Sequence, residues 1–308
     1  MMNPLIAVHG GAGTILPEQL TPALEINYRA ALERALKSGY EILKSNGSAL
    51  DAVQAAVIVL EDEPLFNAGR GAVLTHEGKC EMDASIMDGA TRKAGAVAGV
   101  CGIRNPVLLA RTVMENSEHV MLCGKGAEDF ARAHKLKFEN EEYFLTEQRR
   151  QQWLSVKDTD KITMDHIGNN EKKFGTVGAV ALDSNGNLAA ATSTGGMTNK
   201  RWGRIGDTPI IGSGTFADDT VAVSCTGHGE FYIRRVVAHE ISALMRYKGI
   251  SLQEACDEVV FNQLLKEGGE GGLIAIDKLG NSTLCFNTPG MYRGSIDVKG
   301  KCTVEIFK

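Results

Sequence analysis

The sequence has no long apolar run. No stretch of it approaches the roughly 18 uninterrupted apolar residues that a membrane-spanning helix needs. Its first residues, Met1 to Leu5, also lack the basic start and the long apolar core of a secretory signal peptide. We therefore expect a cytoplasmic protein without a membrane partner.

Excess positive charge and paired cysteines are missing as well. The formal net charge is -5 over 308 residues, and no basic stripe is present that would neutralise a phosphate backbone, so nucleic acid is not an expected partner. The seven cysteines are scattered and odd in number, without a Cys-x-x-Cys pair. This pattern indicates reduced cysteines in the core, and it argues against a disulfide frame or a zinc site.

Apolar and charged residues, by contrast, occur in the proportions of a packed globular protein. With 43% hydrophobic and 23% charged residues, the chain is long enough for one or two domains with a sizeable core. Hydrophobic periodicity and capping residues predict helices at 21–45, 48–64, 125–134, 142–154, 230–246 and 252–265, and one that begins at 105. Strands are predicted at 4–8, 176–182, 188–194, 221–225, 272–277, 282–287 and 302–307, with a glycine-rich turn at 9–13 and hairpins between 71 and 102. Helices around hairpin-linked strands favour an α+β fold with antiparallel sheets, since an α/β fold would alternate strand and helix regularly.

One segment of the chain is polar and has no hydrophobic period. It covers residues about 155–175 and predicts a mobile linker, because no stable element there would bury an apolar face. The next residues, Thr176 to Leu182, are almost wholly apolar and predict a strand that is buried on both faces. A mobile segment therefore meets a core strand at the bond between Gly175 and Thr176.

The strands at 176–182 and 188–194 flank Asn185-Gly186, a dipeptide that is typical of hairpin turns. If the turn has three residues with Gly186 in the left-handed region, Thr194 lies opposite Thr176. If the turn has two residues, Thr194 lies beside Val177, on the other face of the sheet. The sequence leaves both registers open.

Thr176 needs a base if it is to act as a nucleophile, and no histidine or aspartate flanks it. Its own α-amine would serve, since a free α-amine titrates at about 7.7 to 8.0, close to neutral pH. That amine exists only after the bond from Gly175 is cut, and glycine tolerates the strained backbone that attack on its carbonyl requires. The ordinary alternative is a β-branched threonine that merely starts a strand.

Six motifs in a fixed order carry a family resemblance. They are 9–13 (HGGAG), 64–69 (PLFNAG), 82–89 (MDASIMDG), 174–183 (FGTVGAVALD) followed by 191–196 (ATSTGG), 203–209 (GRIGDTP) and 225–230 (CTGHGE). Together they resemble the motifs of plant-type (type III) asparaginases, also called isoaspartyl peptidases, and especially those of the bacterial members. The resemblance covers essentially the whole chain.

The resemblance implies the fold of the N-terminal-nucleophile hydrolases. This fold is a four-layer αββα sandwich of two antiparallel sheets between helix layers, here a single domain over residues 1–308. The resemblance also implies autocleavage between Gly175 and Thr176 into an α subunit, 1–175, and a β subunit, 176–308, and a homodimer of cleaved αβ protomers. The implied activity is hydrolysis of L-asparagine to aspartate and ammonia, and of β-aspartyl (isoaspartyl) dipeptides to aspartate and an amino acid.

The catalytic residues of the family match positions of this chain one by one. Thr176 matches the catalytic threonine, and Thr194 matches the threonine that hydrogen-bonds it. Thr226 and Gly227 match the oxyanion hole, in which each donor typically contributes about 3 to 4 kcal/mol. Gly10 matches a glycine near the scissile bond.

The substrate-binding residues follow from the same resemblance. Arg204 matches the arginine that binds the α-carboxylate of the substrate. Asp207 matches the aspartate that pairs with the α-ammonium group, and Asn67 matches a further residue that contacts the substrate. Arg204 and Asp207 carry opposite charges, so together they suit a zwitterionic aspartyl group. Because either ammonia or an amine can leave from the β-carbonyl, one site would serve both asparagine and isoaspartyl peptides.

No cofactor is expected for catalysis, but the family also binds a structural monovalent cation, usually sodium. Backbone carbonyls of one loop would hold it, and the matching residues are Leu60, Glu61, Glu63, Phe66, Ala68 and Arg70. Backbone ligands leave no signature in the side chains. The cationic side chain of Arg70 stands close to this loop in the sequence.

Two other functions compete with this one. A glycosylasparaginase shares the nucleophile but must admit a bulky sugar, and such enzymes generally follow a secretory route, which the absent signal peptide disfavours. A non-catalytic relative with the same fold would be expected to have lost Thr176, Arg204 or Thr226, and all three are present.

Overall fold

The computed structural model describes residues 3–159 and 173–308. Residues 160–172, the greater part of the predicted linker, lie outside the described residues. The helices are α1 (Pro22–Lys44), α2 (Ala49–Asp62), α3 (Pro106–Asn116), α4 (Gly124–Ala133), α5 (Glu141–Phe144), α6 (Glu147–Leu154), α7 (Gly229–Arg235), α8 (Val237–Ala243) and α9 (Leu252–Asp257). Shorter or wider helical turns are Pro17–Gln19, Gly69–Gly71, Leu244–Lys248, Glu258–Leu264 and Leu265–Glu267.

The strands form two sheets. They are β1 (Leu5–Gly13), β2 (Met82–Asp88), β3 (Ala94–Val100), β4 (Met121–Cys123), β5 (Lys173–Phe174), β6 (Val177–Leu182), β7 (Leu188–Thr194), β8 (Thr215–Ala217), β9 (Val221–Gly227), β10 (Gly271–Asp277), β11 (Ser282–Phe286), β12 (Gly290–Ile296) and β13 (Cys302–Phe307). The large sheet has the order β13-β12-β1-β6-β7-β2-β3-β4, with β5 paired to the end of β1. The small sheet has the order β11-β10-β9-β8.

Four layers result from the packing of these elements. Helices α1, α2 and α3 cover one face of the large sheet, whose other face packs on the small sheet. Helices α8 and α9 cover the far face of the small sheet. The α+β sandwich is therefore confirmed. One detail of it is wrong: the edge pair β3–β4 is parallel, because the crossover through α3 returns the chain in the same direction.

The strand β6 lies at the centre of the large sheet and is buried on both faces. Val177 and Ala179 pack among residues of the helix layer, whereas Val180 and Leu182 pack among residues between the two sheets. This position explains the continuous apolar run in the sequence, since a strand with one solvated face would alternate apolar and polar residues. Helix α2 packs directly on β6 and β7.

Helix α2 begins where its capping residues predict. The hydroxyl of Ser48 accepts a hydrogen bond from the backbone N–H of Asp51 at 3.0 Å. Such a cap typically contributes about 1 kcal/mol to stability. The cap thereby fixes the start of the helix that supports the β6–β7 hairpin.

Some local predictions are wrong. Residues 9–13 continue β1 instead of forming a turn, because this glycine-rich stretch pairs with β12 on one side and with β5 on the other. The predicted helix at 230–246 breaks at Val236, which has a φ of 51°. Strand β12 was not predicted, since Gly290 and Gly294 dilute its apolar alternation.

No helix within the described ranges combines the length and the apolar character that a bilayer crossing requires.

Candidate active site

The β6–β7 hairpin brings two threonines together at its open end. Val177 pairs with Ser193, and Gly186 in the turn has a φ of 83°, so the connection is the three-residue turn. Thr194 consequently lies opposite Thr176 on the face that points to the small sheet. The hydroxyl of Thr176 donates a hydrogen bond to Oγ1 of Thr194 at 3.1 Å.

The hydroxyl of Thr194 is itself held by the backbone that follows it. It accepts a hydrogen bond from the N–H of Gly196 at 3.0 Å. Asn67 fixes this segment, because its Nδ2 donates to the carbonyl of Gly196 at 2.8 Å and its Oδ1 accepts from the N–H of Val73 at 2.9 Å. The amide of Asn67 thus tethers two backbone segments beside the threonine pair.

Glycines of β1 face the bond between Gly175 and Thr176. The residues of β1 between its pairing with β5 and its pairing with β6 are Gly10 and Gly11, so they lie across from this bond. A Cβ atom at Gly10 would lie 2.3 Å from Cε1 of Phe66. Only glycine therefore allows β1 to pass this close to the ring of Phe66.

A buried chain of hydrogen bonds starts at the carbonyl of Thr176. Nδ1 of His9 lies 3.1 Å from this oxygen, and Nε2 of His9 lies 2.9 Å from Oγ of Ser224 in the small sheet. The chain continues from Ser224 to Thr192 at 2.7 Å and from Thr192 to Thr215 at 2.5 Å. It therefore links both sheets beneath the threonine pair.

The direction of this chain follows from the charge of His9. Burial lowers the pKa of His9 to about 3, against the raising effect of its hydrogen bond to Thr176, so the imidazole is neutral at pH 7. Because a carbonyl can only accept, Nδ1 carries the proton and Nε2 accepts from the hydroxyl of Ser224. The hydroxyl chain is thereby oriented toward the carbonyl of Thr176.

Arg204 and Asp207 lie side by side, and two glycines make room for them. A Cβ atom at Gly206 would lie 3.0 Å from Nη1 of Arg204. A Cβ atom at Gly229 would lie 2.9 Å from Nη2 of Arg204 and 3.0 Å from Oδ1 of Asp207. The guanidinium and the carboxyl group are therefore close neighbours, and both lie against Gly229, the first residue of helix α7.

Asp207 is buried, with 4% of its surface exposed, and its Oδ2 has no hydrogen-bond partner among the described residues. Burial raises its pKa to about 7, and the negative charges of Glu230 and Asp83 act in the same direction against the lowering effect of Arg204. An unsatisfied buried carboxyl group is costly in a folded protein. It is therefore a natural partner for a cationic group of a ligand.

Asp83 and Lys200 are two further buried charges at the site, and no feature of the sequence pointed to either as a site residue. Asp83 is the cross-strand partner of Thr194, and one of its oxygens accepts from the N–H of Gly99 at 2.8 Å. Burial raises the pKa of Asp83, while the positive charges of Lys200 and Arg204 lower it. Asp83 lies in one of the sequence motifs, but only the register between β2 and β7 shows that it lies beside Thr194.

Thr226 and Gly227 end the strand β9. Thr226 is fully buried, and alternation along the strand puts it on the same face as Ser224, toward the large sheet. A Cβ atom at Gly227 would lie 2.4 Å from the ring of Tyr232 and 2.6 Å from the carbonyl of Glu270, so no side chain fits there. Ser224, two residues before Thr226, contacts His9, which in turn contacts the carbonyl of Thr176.

Comparison with known proteins identifies the family. A family model described as asparaginase matches residues 2–306. The chain belongs to the asparaginase family. It is 53% identical over 297 residues to an isoaspartyl peptidase of Escherichia coli (strain K12), which covers 95% of this chain and 92% of the relative. It is also 47% identical to an isoaspartyl peptidase/L-asparaginase of Xenopus laevis, over 94% of this chain and 91% of the relative.

A third relative extends the comparison to archaea. A plant-type L-asparaginase of Pyrococcus abyssi is 44% identical over 301 residues, which cover 93% of this chain and 94% of the relative. The resemblance to plant-type asparaginases is thereby confirmed over nearly the whole chain, and the chain is a hydrolase of this family.

In the loop for which the family resemblance implies a sodium ion, two carbonyl oxygens each lie against a glycine. A Cβ atom at Gly69 would lie 2.3 Å from the carbonyl oxygen of Glu61, and one at Gly71 would lie 2.1 Å from that of Phe66. Three more carbonyls accept backbone hydrogen bonds of only 3.2 to 3.4 Å, those of Leu60, Glu63 and Ala68. Such oxygens retain the capacity to bind a hard cation.

The side chain of Arg70 does not point into this loop. Its guanidinium lies 5.4 Å from the centre of the Tyr143 ring, and the residue is exposed. The positive charge of Arg70 is therefore directed toward α5 and the solvent. Among the described residues there is no cluster of three or more His, Cys, Asp or Glu side chains that could hold a metal ion.

Proposed function

We propose that this asparaginase cuts itself between Gly175 and Thr176 and then uses Thr176 to hydrolyse L-asparagine and β-aspartyl dipeptides. The observation that carries the proposal is the hydrogen bond from Thr176 to Thr194 at the junction of the linker and the core strand. The names of the relatives, isoaspartyl peptidase and L-asparaginase, support the same substrates.

Self-cleavage needs no group from outside the chain. Oγ of Thr176 attacks the carbonyl carbon of Gly175, the peptide C–N bond breaks as the acyl group moves to Oγ, and the hydroxyl proton passes to the released amine. Water then hydrolyses the ester. The products are a carboxylate on Gly175 and a free α-amine on Thr176, and the single domain of residues 1–308 becomes an α subunit, 1–175, and a β subunit, 176–308.

The free α-amine supplies the missing base. It takes the proton of the Thr176 hydroxyl, whose oxygen attacks the β-carbonyl of the substrate, while Thr194 holds that oxygen in position. Thr226 and Gly227 would donate hydrogen bonds to the developing oxyanion. Ammonia or an amine leaves with the proton, and water then releases aspartate from the acylated threonine.

Selectivity comes from Arg204 and from the buried carboxyl group of Asp207. Arg204 binds the α-carboxylate of the substrate, and the unpaired oxygen of Asp207 accepts a hydrogen bond from its α-ammonium group. Asn67 contributes by fixing the loop next to Thr194 and by its second amide N–H. An ordinary α-linked peptide lacks the free carboxylate, so it does not satisfy the clamp.

Two further features belong to the proposal. A sodium ion on the carbonyls of Leu60, Glu61, Glu63, Phe66, Ala68 and Arg70 would stiffen the loop that carries Asn67, without a part in the reaction. We also propose that cleaved αβ protomers pair into a homodimer.

Intact mass measurement and N-terminal sequencing of the purified protein test the cleavage. Fragments that end at Gly175 and begin at Thr176 are expected without any added protease, and a different start would remove the proposed base. A panel of amides tests the substrates: L-asparagine and β-aspartyl dipeptides should turn over, with the dipeptides preferred. α-Aspartyl dipeptides and L-glutamine should not.

The same panel separates the alternatives. Asparagine with an N-linked sugar as the best substrate would identify a glycosylasparaginase, and no turnover by a cleaved protein would indicate a non-catalytic relative. EDTA should leave the rates unchanged, since no proposed step uses a divalent metal.

A further inference from the structure

The guanidinium of Arg204 is already held by a residue that the family motifs do not assign. Its Nε donates to Oε1 of Glu230 at 3.0 Å, and its Nη2 donates to Oε2 at 2.9 Å. These two parallel bonds are the bidentate geometry that fixes both the position and the plane of a guanidinium. The pair is 26 residues apart in sequence and joins the loop after β7 to the first turn of α7.

Glu230 occupies only one side of the guanidinium. Arginine has five N–H donors, and the two that Glu230 uses belong to the fork formed by Nε and Nη2. No hydrogen bond from the part of the chain that the structure describes uses the second fork, which is formed by Nη1 and the other N–H of Nη2, so it can bind a carboxylate. Gly206 and Gly229, which lack Cβ atoms, flank these two nitrogens.

The charge of Glu230 has two opposing effects on the site. It fixes Arg204, but it also weakens the attraction of Arg204 for a second carboxylate. The side chain of Glu230 is 46% exposed, whereas that of Arg204 is 16% exposed, so the repulsion acts partly through solvent and is screened. The two hydrogen bonds that align Arg204 are direct and short. Because they order its long side chain before the substrate binds, the entropy cost of ordering it is not charged to substrate binding.

We propose that Glu230 is a positioning residue, which holds Arg204 so that its free fork meets the α-carboxylate of the substrate. This inference rests on the proposed function, since it needs an aspartyl substrate. His228 supports the arrangement, because its Nε2 lies 3.2 Å from Oε2 of Glu230. Although burial raises the pKa of Glu230, hydrogen bonds from His228 and Arg204 hold it well below its usual range, so Glu230 is a carboxylate at working pH.

The test compares Glu230→Ala, Glu230→Gln, Arg204→Ala and the double variant Arg204→Ala/Glu230→Ala with the wild-type enzyme. Glu267→Ala is the matched control, since Glu267 pairs with Arg235 at the end of the same helix. KM and kcat are measured for one β-aspartyl dipeptide, and the inhibition constant is measured for L-aspartate. All variants are first checked for cleavage at residue 176.

We expect Glu230→Ala to raise KM and the inhibition constant of L-aspartate together by about tenfold, with kcat changed less than about twofold, because only the alignment of the binding group is lost. Glu230→Gln, which retains one acceptor oxygen, should raise both by about threefold. The double variant should be no weaker than Arg204→Ala, since Glu230 acts through Arg204.

Three results would overturn the inference while the proposed function stands. They are tighter binding of L-aspartate by Glu230→Gln, kinetics of Glu230→Ala that match the Glu267→Ala control, and losses that multiply in the double variant. If the wild-type enzyme turns over no aspartyl amide, the proposed function fails instead, and the clamp fails with it.

Discussion

Replacing Asp207 by asparagine should abolish turnover of aspartyl substrates and yet stabilise the folded chain at alkaline pH. The carboxyl group is buried, one of its oxygens has no partner among the described residues, and burial raises its pKa to about 7 from an ordinary 3.8. The folded chain therefore binds this proton more tightly than the unfolded chain does. The free energy of unfolding consequently falls as pH rises through this interval.

The size of the effect follows from the pKa difference. A shift from 3.8 to about 7 corresponds to about 4 kcal/mol of lost stability once the pH exceeds both values. The uncharged asparagine side chain would avoid this loss, although its amide would leave an unpaired N–H that costs about 1 to 3 kcal/mol. The net gain from Asp207→Asn should be about 1 to 3 kcal/mol at pH 8.5. The free energy of unfolding of Asp207→Asn relative to the parent should fall by about 2 to 3 kcal/mol when the pH is lowered to about 5.

Urea unfolding at both pH values measures this difference. The parent carries Thr176→Ala, which we expect to stay a single chain, so that cleavage does not complicate unfolding. Asp297→Asn is the control: Asp297 is partly exposed, and N–H groups of Lys301 and Lys299 lower its pKa. The ionised carboxylate of Asp297 stabilises the folded chain, and this contribution is lost only at pH values below its ordinary pKa of 3.8. The difference in free energy of unfolding between Asp297→Asn and the parent should therefore be equal at both pH values. A pH-independent difference for Asp207→Asn would refute the reasoning.

Three further predictions concern cleavage and binding. Thr176→Ala should migrate as one chain on a denaturing gel, because the hydroxyl that attacks Gly175 is gone; a fragment that begins at residue 176 would contradict this. Gly229→Ala should weaken L-aspartate binding by about 100-fold in a calorimetric titration, because its Cβ would lie 2.9 Å from Nη2 of Arg204 and 3.0 Å from Oδ1 of Asp207. For the mature enzyme, kcat/KM for L-asparagine should fall as pH drops below about 8 and more steeply below about 7, because first the α-amine and then Asp207 take up protons; a flat profile between about pH 6 and pH 8 would argue against both roles.

The parts of the site that could be predicted from the sequence involve residues that are close to each other in the chain. The hairpin turn has only two candidate registers, and the three-residue register brings Thr194 beside Thr176. The cap at Ser48 was predictable for the same reason, since its partner Asp51 is three residues away. Short-range rules suffice where the interacting groups share one turn or one hairpin.

The contacts that escaped prediction join distant segments. His9 meets Ser224 across a separation of 215 residues, and Arg204 meets Glu230 between a loop and a helix. Neither pair has a spacing that sequence periodicity would reveal. The parallel pairing of β4 was missed for a similar reason, because the direction of an edge strand depends on how the preceding helix crosses the sheet.

The location of the site follows from the alternation of side chains along β7. Ala190 packs between the two sheets, so Thr192 and Thr194 share that buried face. Each of these threonines lies in a row of neighbouring side chains across the strands, and a buried polar row is tolerable only when its groups are hydrogen-bonded. The row that contains Thr192 meets this condition, because Thr192 joins the hydrogen-bond chain that starts at His9. The row of Thr194 does not, since its neighbour Asp83 keeps an oxygen without a partner among the described residues. The positive charges of Lys200 and Arg204 partly compensate for this burial, and under the proposed function the α-ammonium group of the substrate brings a further positive charge to this end of the sandwich, at Asp207.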